Sequence, residues 1–161
     1  MDIALSDLIL FAHPTCGVLA TLAGVWVIVE ALNATEANQA RTRRAAFAVA
    51  ILLCLAWMLG GYWYVTYYGH ERAIILKGPW PLAHNFFMET KEHLFFIPLI
   101  LGLYLPIVAA RNLARDRAAR AMVVTVAGLI VLNALAIEGA GAIINHGVKA
   151  AFVPSAVAGP E

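Results

Sequence analysis

Residues 88–101 read METKEHLFFIPLIL. Four titratable side chains, Glu89, Lys91, Glu92 and His93, crowd against an apolar run that continues to Ala110. The whole chain shares that character. Of its 161 residues 62% are apolar and 13% charged, against roughly 45–50% and about 25% in soluble domains. So much apolar surface has to face something other than water, and the chain reads as a single-domain integral membrane protein spanning residues 1–161. A formal net charge of +1 excludes the concentrated basic face that nucleic acid requires. Cys16 and Cys54 both lie inside apolar runs and give no disulfide framework.

A membrane helix needs about 20 mostly apolar residues. Four segments qualify, at about 6–33, 44–68, 84–110 and 120–148. The first, with Ser6-Asp7 as an N-cap, is too long for a cleaved signal peptide, has no basic leader and carries Glu30 near its far end. Between the second and third, residues 71–88 are too polar and proline-broken to span. KGPWPLAH, 77–84, reads as an interfacial loop. The tail AFVPSAVAGPE reads as a terminus, not a second domain. Short connections predict an all-α, up-down-up-down four-helix bundle in the lipid bilayer.

Arg41, Arg43 and Arg44 fall in one connection and Arg111, Arg115, Arg117 and Arg120 in another, seven of the eleven basic residues. The positive-inside rule places both connections in the cytoplasm and both termini outside, in a bacterial-type inner membrane. The aromatic end of the second span, YWYVTYYGH at 62–70, suits the outer headgroup layer.

Counting about 1.5 Å of rise per residue from the cytoplasmic ends gives each polar residue a height. His13, Glu92, His93 and Glu138 stand about 27–30 Å up, and Glu89, His84, His70 and His146 about 36–40 Å up. All five histidines therefore belong to the outer side. His13 and Glu138 lie inside apolar runs, where a charge costs about 2.5–3.5 kcal/mol on insertion scales. A structural reading makes Glu138 one end of an interhelical hydrogen bond to His13 or Tyr64. The functional reading makes these groups a site. Glu89, Glu92 and His93 at i, i+3 and i+4 put Glu89 on a face with each of the others, either as ligands or as a salt-bridge cluster with Lys91. Gly60-Gly61 and Gly139-Ala140-Gly141-Ala142 lie at the same height, for close packing or for a slot that takes a flat macrocycle. Pro14 and Pro98 are places for a bend.

Two chemistries fit these residues. In a membrane b-type cytochrome, His13 and His93 would be the axial pair of haem b, with His84, His146 or His70 in a second, more exposed site. Glu138, Glu92 and the tyrosines would handle the protons of a quinone, and electrons would pass from quinol to an external acceptor or partner subunit. In a non-haem centre, His13, His93, Glu89, Glu92 and Glu138, with His146, would bind iron, copper or zinc in an oxidase or a metal-delivery protein. An accessory subunit of a respiratory complex, with the polar residues facing its neighbours, is a third reading.

From the second span onward the chain resembles a family of small membrane proteins associated with haem-copper oxidase assembly. The likeness rests on Arg43-Arg44, the aromatic YWYVTYYGH, Lys77-Gly78 and the EHLFFIPL that starts at Glu92. It implies a four-helix membrane protein in the terminal-oxidase neighbourhood, with His70 and His93 as the paired histidines. The likeness departs at Gly69, which separates Tyr68 from His70, and covers neither the first span nor the last.

Overall fold

The computed structural model describes residues 4–152, all of whose regular structure is helical. The terminal residues, and with them most of the AFVPSAVAGPE tail, lie outside the described residues. Among the described residues four helices are long and apolar enough to cross a membrane: α1 Leu5–Leu32, α2 Gln39–Thr66, α4 Ala83–Ala109 and α5 Arg117–Ala151. Between α2 and α4 runs a short helix, α3 Tyr68–Lys77. The chain is an integral membrane protein whose described residues form no strand. Large apolar side chains such as Phe11, Leu22, Ile51, Met58, Ile100 and Leu132 are exposed along the spans, a surface suited to lipid.

The helix limits follow local chemistry. α1 starts one residue ahead of Ser6, with Ala4 as its N-cap, so Ser6 and Asp7 sit in its first turn and cap nothing. α2 starts five residues before Arg44, because the turn ahead of it is closed by hydrogen bonds. The Thr35 N–H donates to Asn38 Oδ1 at 2.9 Å, and Asn38 Nδ2 donates to the Asn33 and Glu30 carbonyls at 3.1 Å each. Residues 68–77, placed partly in a loop by their polarity, form α3 with Glu71 in its first turn and Lys77 in its last, charges that suit the helix dipole. α4 is π-helical over Ala83–Met88 and α-helical over Glu89–Leu94 and Phe96–Ala109. Its interruption at Phe95 falls where Pro98 lacks the N–H that Leu94 would accept.

The spans close into a bundle in which α1 packs on α2 and α5, and α4 packs on the same two. Residues near the start of α1 meet residues near the end of α2, as His13 does Ala56, while Glu30 near the end of α1 meets Asn38 and Arg41. Along α1 and α5, Gly17 meets Glu138 and Gly24 meets Val131.

Two cores result. The larger, at the Glu30 end, is built on small residues, with Ala31, Ala46, Ala109 and Ala127 fully buried beside Val27, Val49, Leu105 and Ile130. Small side chains let helix backbones approach closely where lipid supplies no hydrophobic driving force. Three polar links lock that end. Glu30 pairs with Arg41, Gln39 Nε2 donates to the Ala109 and Arg111 carbonyls at 2.9 and 2.8 Å, and Arg115 pairs with Glu36. The second core, at the other end, gathers Tyr68, Ile75, Ala83, Met88 and Ile144, and so pins α3 and the start of α4 to α5.

Candidate functional site

Between the two cores the spans part around a half-enclosed cavity of about 640 Å³. All four spans contribute to its polar lining: His13 of α1, Tyr64 of α2, Lys91 and Glu92 of α4, and Glu138 and Asn145 of α5. Glu71 adds a carboxyl from α3. The remaining wall is apolar, and Trp57, Trp63, Phe95 and Phe96 contribute aromatic rings to it.

Glycines seat the polar side chains. A Cβ at Gly60 of α2 would lie 2.5 Å from Cε1 of His13, so the imidazole occupies the space that any other residue would fill. The Glu138 carboxylate packs in the same manner on Gly17 of α1. The Lys91 ammonium lies 3.3 Å from where a Cβ of Gly141 on α5 would stand. Each group thus crosses from its own helix onto a neighbouring one. The small residues have a use beside close packing or a macrocycle slot, since Gly60 and Gly141 make room for polar side chains of this chain. Gly61, by contrast, lines the cavity with no atom within 4 Å of where its Cβ would stand.

The polar groups have distinct states. His13 Nδ1 is 2.8 Å from the Ala56 carbonyl, which can only accept, so Nδ1 carries a proton and in the neutral ring Nε2 carries the lone pair. Lys91 is close enough to Glu138 and to His13 for its charge to act on both. Glu92 keeps Oε1 buried, without a hydrogen-bond partner among the described residues. On α3, burial pushes the Glu71 carboxyl above its ordinary value, and the neighbouring His70 draws it back.

Of the residues singled out from sequence, His13, Glu92 and Glu138 come together here. His93 does not. It is exposed, its Nδ1 lies 2.6 Å from the Glu89 carbonyl one turn back, and it is absent from the cavity wall, so His13 and His93 do not face each other across a slot. His84 is buried with Nδ1 3.0 Å from the Tyr68 hydroxyl, and its Nε2 stands 3.7 Å from Glu89. That hydroxyl, shielded from water, is pushed well above the ordinary phenol range, first by burial and then by the nearby Tyr64, Glu71 and Glu92. His146 packs edge-on against Trp80, and His70 is exposed on α3. These three histidines each have a separate environment. Among the described residues no three His, Cys, Asp or Glu side chains form a group that could hold a metal ion.

Lys91, Glu71, Asn145 and the tryptophans join the site although the sequence did not single them out for it. Lys91 carries a visible signal: it stands three residues before Leu94 in an apolar helix, an expensive place for a charge that has no use. Comparison of the chain with protein-family models, with curated proteins and with solved structures finds no match, so no relationship to haem-copper oxidase assembly proteins is shown.

Proposed function

We propose that the cavity binds a quinone-class ligand, a flat ring with two oxygens, that enters from the lipid, and that the protein serves membrane electron transfer beside a partner subunit or external acceptor. One observation carries this reading. Ionisable side chains from three spans, each seated on a glycine of the next, meet at a single aromatic-walled cavity. Each such charge is costly within the bilayer, so their convergence points to a use. A ring hydroxyl can donate to Nε2 of His13, and a ring carbonyl can accept from Lys91. Glu138 and Glu92 are placed to take up or return protons when the ring changes oxidation state. The tryptophans and phenylalanines offer flat apolar faces to the ring.

The arrangement in the membrane belongs to the same proposal. Contacts of Gly17 with Glu138 and of His13 with Ala56 support an up-down-up-down course. Arginines in and beside both short connections favour the cytoplasm for that end, and hence both termini and the cavity on the outer side of a bacterial-type inner membrane.

A second reading is haem b held on His13 alone. What favours it is the Nδ1 bond to the Ala56 carbonyl, the orientation in which ligating imidazoles keep Nε2 free for iron. Bound there, haem would supply one-electron transfer, and Lys91 would be the cation available to a propionate.

Purified protein decides between them, through solvent extraction for quinone and a dithionite-reduced visible spectrum. Co-purifying quinone, reduced about tenfold or more in Lys91→Met and several-fold in His13→Ala with membrane insertion intact, is expected for loss of one charge-assisted and one neutral hydrogen bond. Sharp b-type bands without quinone would transfer the site to haem. Neither pigment nor quinone, with no retention of added ubiquinone, would end both.

A further inference from the structure

A second recess lies on the lipid-facing side of the bundle, between α2 and α4, with a volume of about 560 Å³. Its floor is apolar, formed by Phe47, Ile51 and Leu55 of α2 and by Leu103 and Ile107 of α4. At its mouth stands Arg43, whose guanidinium lies 5.9 Å from the centroid of the Phe47 ring. Of the other arginines at this end Arg41 pairs with Glu30, Arg111 with Asp116 and Arg115 with Glu36, whereas Arg44, Arg117 and Arg120 pair with no carboxylate among the described residues and do not line the groove. Among the described residues no carboxylate pairs with Arg43. From Arg43 to Leu55 the groove runs twelve residues along α2, about 18 Å, close to the thickness of one leaflet's hydrocarbon of about 15 Å.

We propose that this groove holds one acyl chain of an anionic phospholipid whose phosphate pairs with Arg43. The chemistry of each end selects the occupant. An apolar trench one leaflet deep matches an acyl chain, a guanidinium over an aromatic face at its mouth presents two parallel donors to phosphate oxygens, and an arginine without a carboxylate favours a headgroup that carries no balancing choline cation. A cation near the surface of an anionic leaflet is worth about 1 kcal/mol, which corresponds to about fivefold in occupancy. The site is separate from the cavity at His13, shares no lining residue with it and does not depend on what that cavity binds.

Full-length protein in mild detergent, incubated with phosphatidylglycerol or with phosphatidylcholine of the same chains, tests this by native mass spectrometry of retained lipid. The expected result is about a fivefold preference for phosphatidylglycerol, lost in Arg43→Gln. Ile51→Trp, at an exposed position of the groove wall, should displace the lipid altogether. Equal retention of the two headgroups, a preference that survives Arg43→Gln, or unchanged lipid in Ile51→Trp would overturn the proposal. So would a second copy of the chain as occupant. Cys54 lines the groove, and oxidative cross-linking through it in a Cys16→Ser background reads that outcome directly.

Discussion

Two carboxylates in the spanning helices have opposite surroundings. Glu30, near one end of α1, accepts hydrogen bonds from Trp26 Nε1 at 2.9 Å, from Asn38 Nδ2 at 2.8 Å and from both Nε and Nη2 of Arg41. Glu138, in α5, has no hydrogen bond among the described residues and rests on Gly17 with the Lys91 charge nearby. Around Glu30 the helices close on a core of alanines, whereas around Glu138 they part by a cavity of about 640 Å³. A carboxylate with every lone pair occupied is a fastener. One left with free lone pairs beside a cavity keeps its hydrogen-bonding capacity for something else.

The largest effect should come from undoing the fastener. Glu30→Ala strands the Trp26, Asn38 and Arg41 donors together and frees the α1–α2 turn. The expected outcome is a steep fall in melting temperature in detergent, larger than for a substitution at Glu138, Gly60, Gly61, Glu71 or Asp116. Glu138→Gln breaks no hydrogen bond among the described residues and removes only a charge that Lys91 partly balances, so its melting temperature should fall far less than that of Glu30→Ala while retention of the cavity ligand falls. If Glu138→Gln unfolds the protein as Glu30→Ala does, the two carboxylates are both fasteners and the contrast between the ends disappears.

Adjacent glycines sharpen the same contrast at smaller scale. Gly60→Ala would set a methyl against the His13 ring, forcing it off the Ala56 carbonyl. Overpacking of this kind costs about 1–3 kcal/mol. Gly61→Ala enters open space and should instead stabilise α2 by about 0.5–1 kcal/mol through helix propensity. Thermal melts of the pair, with ligand retention measured on each, give the test. Equal behaviour of the two variants would show that Gly60 is not a seat for His13.

Number and length of the spans were legible because apolar runs of membrane length have few alternatives. Their ends were less so. Hydropathy stops where lipid stops, and α2 continues as helix through Gln39, Arg41 and Thr42 beyond that point. α3 escaped notice because ten residues with mixed charges carry no membrane signal. Within the site, height was legible and direction was not. Counting rise put His13, Glu92 and Glu138 in one layer, and all three line one cavity. It put His93 there too, yet a residue adjacent to Glu92 points about 100° away around the helix. The π-helical start of α4 and its break at Phe95 disturb the phase that would otherwise say which of Lys91, Glu92 and His93 faces inward. Glycine seating was hidden for another reason: a glycine's neighbour across a helix pair depends on register, which no single helix encodes.

The smallest expected effect is a matter of sign, and again sets one end against the other. Asp116 caps α5 at the closed end, accepting from the Ala119 N–H at 2.9 Å, with Arg111 3.3 Å away. The Ala119 hydrogen bond, aided by the Arg111 charge, holds its carboxyl below the ordinary value. A carboxyl lowered in the folded state contributes stability that is complete above the unfolded value, about 3.9, and lost as pH falls through the folded one. Glu71, beside the cavity, is raised by burial, so its sign is reversed and stability is lost as pH rises through the carboxylate range. Asparagine caps a helix as well as aspartate but does not titrate. In Asp116→Asn, protection against hydrogen exchange in the first turn of α5 should no longer fall at acid pH, with the melting temperature at neutral pH close to that of the parent. Glu71→Gln should leave that acid limb intact and flatten the opposite one. An acid limb unchanged in Asp116→Asn would mean that the closed end draws its acid sensitivity from the Glu30 cluster instead, where four donors depend on one carboxylate.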